Sequence, residues 1–416
     1  MSRHTHIQSK KKMPTVHKVL IIMIAFALVA LAVMIVYGIT NLDNQPGRIG
    51  GPGNPAVTHD PNDPDDDPGD DPGGNPGGDP DDDDPDDDPD DLPELSPRPR
   101  PELDTGIEHF NPLTGEVMDL GKARQRPIAI VLNNLAEALP LNGVSKADVI
   151  YEYPVEGGLT RMLAIYQDVS DVRKVGSIRS LRHYTAQLAN AYDAIVVAAG
   201  RSPQAQQEVR TLGIPFLNEV EGPLRDVFFR DRNRIPGRRI DNLHSVVTTG
   251  ERLLYWLPEY NIRLMHEESF EHIYRFKDDG TPQNGSTAGR AVVRYSGART
   301  TTFTYNQSER KYFVQHGTRE FTDANDNSKP AYANILVLKT SVSLIQGDDS
   351  GRLNINTSGS GTGYYISGGK YIEINWSRAN QSSPFIYTHT DGTSFDFGVG
   401  KTYICIIPTS QTVTFS

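Results

Sequence analysis

The sequence predicts an α+β protein: an N-terminal α/β-type domain followed by a mostly antiparallel β unit, with a transmembrane helix and a disordered linker ahead of both. Three observations predict it. One uncharged apolar run lies near the N-terminus, and an Asp/Pro/Gly-rich stretch with almost no apolar side chains follows it. Beyond Pro127, short apolar runs first alternate with helically spaced segments and then, from about residue 288, continue without them.

The apolar run comes first. Val19 to Ile39 is 21 residues without a charge. At about 1.5 Å of rise per residue it reaches roughly 30 Å as a helix, the thickness of a hydrocarbon core. Arg3, Lys10, Lys11, Lys12 and Lys18 precede it, and Asp43 is the first acid after it. The positive-inside bias therefore places residues 1–18 in the cytoplasm as a basic tail, 19–39 across the membrane and the rest outside. A cleavable signal peptide would have a shorter apolar region and a small-residue cleavage site, which Tyr37-Gly38-Ile39-Thr40 does not supply. The run reads as an uncleaved single-pass anchor, and no Cys follows it to carry a lipid.

Residues 40–104 form the linker. Residues 41–104 hold 15 of the 29 prolines and nine glycines, and residues 60–91 hold 17 Asp with no basic residue. Such a segment cannot bury enough surface to offset the entropy of ordering. Like-charge repulsion and proline make it an extended spacer. A calcium loop is disfavoured, because prolines break the alternate spacing of its ligands and no Glu closes it. This stretch also explains the net charge of −12, since residues 92–416 carry 35 basic and 35 acidic side chains. Those residues are formally neutral as a whole, and no nucleic-acid partner is expected. The lone Cys405 excludes a disulfide framework and a thiolate metal site.

Over residues 105–287, strand-length runs occur at Pro127–Asn133, Val149–Val155, Met162–Gln167 and Ala194–Ala199. Leu181, Tyr184, Leu188 and Tyr192 share a face if Ser180–Tyr192 is a helix. Ser202-Pro203 has the chemistry of a helix start and Gly213 that of a stop, and a third helix fits Thr249–Leu257. Over residues 288–416, strand-length segments separated by turns such as Ser367-Gly368-Gly369 and Asp391-Gly392 require no helix.

Four constellations carry chemistry. Glu152 and Glu156 lie four apart before Arg161, and on a regular strand would share one cleft wall, as an acid–base pair or as partners of the arginines. Arg179 and Arg182 are three apart at the start of the helix expected from Ser180, where guanidinium groups beside free backbone N–H groups favour an anion. Gly200-Arg201-Ser202-Pro203 forms a strand–turn–helix junction, with Ser202 as an N-cap beside an anion site before it is a nucleophile. Residues 225–239 hold six arginines against Asp226 and Asp231. His266-Glu267-Glu268 and His272 miss the His-Glu-x-x-His frame, so neither a metal nor a cofactor is expected. Tyr364, Tyr365, Tyr371 and Trp376 suit either the core or stacking on sugar rings.

The ectodomain resembles the bacterial YerB-like, DUF3048 family over about residues 111–416. The resemblance rests on Asn111-Pro112-Leu113-Thr114-Gly115, Arg126-Pro127-Ile128-Ala129, the run Leu141 to Glu152, Val155-Glu156-Gly157-Gly158-Leu159-Thr160-Arg161, Arg179-Ser180-Leu181-Arg182 and Tyr192-Asp193-Ala194-Ile195. At the other end Gly361-Thr362-Gly363-Tyr364-Tyr365 and Gly400-Lys401-Thr402-Tyr403 carry it. The family pattern has Gly-Gly-Ser-Pro where this chain has Gly200-Arg201-Ser202-Pro203, and Pro-His-Asn-Leu where it has Ile240-Asp241-Asn242-Leu243. The first change adds a cation and the second removes a histidine. The resemblance implies an extracytoplasmic bacterial protein and no established reaction. The sequence thus points to a membrane-anchored ligand- or partner-binding module of the cell envelope. Its anion-preferring cleft would be built from Glu152, Glu156, Arg161, Arg179, Arg182, Arg201 and Ser202, with an anionic cell-wall polymer or an envelope protein as partner. An envelope hydrolase using Glu152 or Glu156 is the alternative.

Overall fold

A run such as Ile128-Ala129-Ile130-Val131-Leu132 has no polar face to turn to water, so a strand made from it must be covered on both sides. The computed structural model, which describes residues 109–220 and 226–416, covers it in that way. In chain order the principal strands are β1 Ile128–Leu132, β2 Val149–Pro154, β3 Thr160–Tyr166, β4 Val175–Gly176, β5 Ile195–Ala198, β6 Phe216–Asn218, β7 Phe229–Arg230 and β8 Val246–Thr248. There follow β9 Ser286–Thr287, β10 Arg290–Arg294, β11 Thr300–Asn306, β12 Lys311–His316, β13 Arg319–Glu320, β14 Ala331–Tyr332 and β15 Asn334–Thr340. The last are β16 Gly359–Ser367, β17 Lys370–Arg378, β18 Ile386–His389, β19 Thr402–Pro408 and β20 Val413–Phe415. The principal helices are α1 His183–Asn190, α2 Pro203–Leu212 and α3 Gly250–Glu259. The described chain is therefore mixed, with many antiparallel strands and few helices. The expected transmembrane helix and linker lie outside the described residues. Among the described residues, no helix is long and apolar enough to cross a membrane.

The central sheet has eleven strands in the order β9-β17-β16-β15-β19-β2-β3-β1-β5-β6, with β18 paired to β17. Within it β15, β19 and β2 are parallel neighbours, as are β1, β5 and β6. Strand β3 runs antiparallel between β2 and β1, so all six of those strands point one way. Strand β19, from the end of the chain, lies beside β2 in the register Thr402↔Val149 to Cys405↔Glu152. Strands from both sides of residue 288 thus form one sheet.

Alternate residues of this sheet enter two cores. Ile128, Ile130, Ile150, Ala164, Ile195, Val337 and Tyr403 face one, which is closed by the six-stranded sheet β13-β12-β11-β10-β20, with β14 also paired to β12, and by α3. Ala129, Val131, Tyr151, Leu163, Val196, Leu336 and Ile404 face the other, under α1 and α2. Helix α2 starts where its sequence indicates: Ser202 Oγ accepts from Ala205 N at 3.1 Å, Pro203 opens the first turn and Gly213 ends it at φ +64°. Thr249 caps α3 in the same manner through Arg252 N.

The four aromatics offered for sugar stacking are engaged within the fold. Tyr365 and Trp376 are buried, and Trp376 Nε1 donates to Lys339 O at 3.2 Å. Tyr371 stacks on Phe415 with ring centroids 3.7 Å apart, and Tyr364 meets the same ring edge-on.

A three-stranded sheet, β4-β8-β7, accompanies these layers, and within it β4 and β8 pack closely at Gly176. A Cβ there would sit 2.6 Å from Val247 Cγ1 and 2.8 Å from Val246 O. Gly176→Ala is expected to lower stability by about 1–3 kcal/mol through overpacking, read as a fall in the denaturant midpoint.

Candidate functional site at the parallel-strand edge

Because β1, β2, β5 and β6 point one way, their C-terminal ends deliver Asn133, Glu156, Gly200-Arg201-Ser202 and Glu219 to one sheet edge, the usual ligand position in open α/β sheets. The segment 177–182 crosses this edge in extended form. Asn133 N donates to Ser177 O, Arg179 N to Val131 O, Ala199 N to Arg179 O, Leu181 N to Gly200 O and Ser202 N to Leu181 O, all at 2.9–3.1 Å. Gly200, at φ +79°, passes so close that a Cβ would lie 2.9 Å from Ser180 Oγ. These bonds replace a first helical turn. Helix α1 consequently begins at His183 with Arg182 as an extended N-cap, and Arg179 and Arg182 do not share a helical face as expected from their spacing.

The edge is rich in guanidinium groups. Arg182 is buried and holds Glu156 in a fork, Nε to Oε1 at 2.6 Å and Nη2 to Oε2 at 3.1 Å. Arg161 is buried and donates from Nη1 to Ser180 O at 2.8 Å. Arg179 and Arg201 are half-buried; Arg179 Nη1 donates to Leu243 O at 3.2 Å, and Arg201 bridges to Leu181. Burial pushes the Arg161 guanidinium down to about 10, and repulsion from Arg182 and Arg179 adds to that while Glu156 opposes it. Burial acts against ionisation of Glu156, yet the hydrogen bonds and charge of Arg182, with Arg161 behind, hold it below the usual carboxylate range. Ser202 is buried and caps α2.

Three further side chains belong to the edge and were not singled out from the sequence. Asn133 Nδ2 lies 3.0 Å from His244 Nδ1, which fixes Nδ1 as the acceptor and leaves the ring proton on Nε2. Burial and then Arg179 push the His244 pKa down. Asn218 Oδ1 accepts from Gly200 N at 2.8 Å. The available signal was an amide residue at the end of each apolar strand run, Asn133 and Asn218.

Glu152 is not on this edge. The strand ends at Pro154, and Val155 and a short 3₁₀ turn redirect the chain, so Glu152 and Glu156 do not form the expected pair on one wall. Glu152 has no solvent exposure and faces the six-stranded sheet. Its Oε1 accepts from Asn134 Nδ2 and Thr160 Oγ1 at 3.0 and 2.8 Å, and its Oε2 from Thr301 Oγ1 and Tyr403 Oη, both at 2.7 Å. Burial alone would raise its pKa, but His316, Arg299 and these hydroxyls together lower it. His316 Nε2 is 3.2 Å from Tyr403 Oη. Burial pushes the ring down to about 4, leaving it neutral at pH 7.

Residues 113–255 match the family model described as a protein of unknown function (DUF3048), N-terminal domain, and residues 291–404 match its C-terminal domain. The chain belongs to the DUF3048 family. "Putative lipoprotein YerB" of Bacillus subtilis (strain 168) is 30% identical over 319 residues, covering 75% of this chain and 90% of that protein. The crystal structure of the YerB protein from Bacillus subtilis is similar at a TM-score of 0.63 and 26% identity, over 74% of this chain and 100% of that one. In this DUF3048 chain the arginine edge falls inside the N-terminal match. Glu152 binds across both matches, through Thr160 in one and Thr301 and Tyr403 in the other.

The Glu152 cluster makes a pH prediction. His316 titrates near 6.5 when unfolded and near 4 when folded, so its contribution is complete above pH 6.5 and is lost as pH falls towards 4. The loss is of order 3 kcal/mol at most for a shift of this size. Denaturant midpoints measured across this window should fall for the wild type and fall less for His316→Gln.

Proposed function

We propose that this protein is a membrane-anchored, extracytoplasmic binding module of the bacterial cell envelope whose parallel-strand edge prefers an anionic group. The anchor is residues 19–39, with the N-terminus cytoplasmic, and residues 40–104 hold an α/β-type part and a mostly antiparallel β part away from the bilayer. A relative whose name describes a lipoprotein supports the same side of the membrane. One observation carries the anion preference: three further guanidinium groups, those of Arg179, Arg182 and Arg201, gather at this edge with the buried Arg161, which Arg182 and Arg179 repel and Glu156 attracts. A bound anion eases that repulsion, and half-buried guanidinium groups bind phosphate or carboxylate in forked geometry. Exposed Leu159 and Leu243 border the edge and give an anionic cell-wall polymer an apolar rim to lie against.

The hydrolase alternative has weaker support. A general acid needs a raised pKa and access to substrate. Glu152 is buried and Glu156 is gripped by Arg182, and both are shifted down.

Titration with poly(glycerol phosphate) tests the proposal. Arg179→Ala combined with Arg201→Ala is expected to weaken binding by about tenfold or more and to flatten its salt dependence. Glu156→Gln is expected to bind at least as tightly as wild type, because it releases Arg182. Undiminished binding by the double arginine variant sinks the anion site, and polymer turnover abolished by Glu156→Gln restores the hydrolase.

A further inference from the structure

Away from the arginine edge, the outer face of the six-stranded sheet carries a groove of about 750 Å³, within the size range of small-molecule sites. Its floor follows from strand alternation. Tyr312, Val314 and His316 of β12 turn into the core, so Phe313 and Gln315 face outward, with Thr304 of β11 directly opposite Phe313. The β11–β12 turn closes one end with Gln307 and Glu309. The chain from β13 to β14 supplies a side: Glu320 stands opposite Gln315, and Lys329 Nζ pairs with Glu320 at 2.8 Å.

The chemistry of this lining differs from that of the edge. The Lys329–Glu320 pair cancels its own charge and Glu309 is the remaining charged group of the lining, so the groove lacks the guanidinium cluster of the edge. What it offers is the half-buried aromatic face of Phe313, flanked by amide groups and a threonine hydroxyl that can donate and accept. A ligand that suits it has a flat apolar face edged by neutral hydroxyl or amide groups. A sugar ring has that form.

We propose that this groove binds a neutral glycan chain, with Phe313 as the stacking platform and Gln315 and Gln307 as hydrogen-bonding partners for hydroxyl or N-acetyl groups. The inference stands independently of the anion site. Its test is calorimetric titration of the full chain in lipid nanodiscs with chitohexaose and cellohexaose. Wild type should bind at least one. Phe313→Ala should weaken that binding by about tenfold. Gln315→Ala and Gln307→Ala, on the outer face and without a core role, should each weaken it while leaving the melting temperature unchanged, which covers the case in which Phe313→Ala misfolds. Arg179→Ala with Arg201→Ala should leave it intact. Failure of wild type to bind either hexasaccharide overturns the proposal. So does binding that survives the glutamine substitutions, or binding that is lost with the arginines.

Discussion

The Glu152 carboxylate constrains everything around it. An ionised carboxylate with no exposure costs several kcal/mol unless donors surround it, and its donors come from Asn134, Thr160, Thr301 and Tyr403. Two of these are within 18 residues of Glu152 and two are 149 and 251 residues away. The carboxylate is therefore satisfied only when β19 has been laid beside β2 and the six-stranded sheet has closed over both. Residues that bury well on their own would permit a looser association of the two matched stretches. A buried charge does not, because every donor left out leaves part of its desolvation cost uncompensated.

That closure fixes the edge. With β19 and β2 in register, β3 reverses next to β2 and β1 next to β3, so β1, β5 and β6 end on the same side as β2. The loops at those ends are then close enough for segment 177–182 to hydrogen-bond across them. The arginines they carry are a poor local choice, since buried guanidinium groups repel. A fold whose stability is provided by two apolar cores can hold such a cluster, and this kind of local conflict is characteristic of functional positions.

Much of the framework was legible in the sequence because its causes are local. The doubly buried strands announced themselves as unbroken apolar runs, and α2 through Ser202, Pro203 and Gly213. Glu152 was misread because its partners are remote in sequence, and a carboxylate in an apolar strand looks the same whether it faces a cleft or a second sheet. Arg179 and Arg182 were misread because helical spacing from Leu181 to Tyr192 says nothing of the edge-crossing bonds that hold residues 177–182 extended. Tyr364, Tyr371 and Trp376 sit in alternating hairpin strands, where period alone does not say which face is covered; the register with Phe415 and Lys339 decides it.

The turn between β10 and β11 joins the two outer features of the molecule. Ser296 Oγ donates to Gly158 O at 2.9 Å, within the turn that carries Glu156. Arg299 donates to Asn134 O at 2.6 Å and to Thr160 Oγ1 at 3.1 Å, one residue from Asn133 and one from Arg161. Two of these contacts end on backbone carbonyls, so they hold the loops themselves and not only side-chain rotamers. Strands β10 and β11 then run directly into the sheet whose outer face forms the groove. This short turn, which Arg299 braces on Thr160 of the Glu152 cluster, is thus one link between the arginine edge and the grooved sheet, alongside Arg319 Nη1 donating to Ala136 O at 2.7 Å.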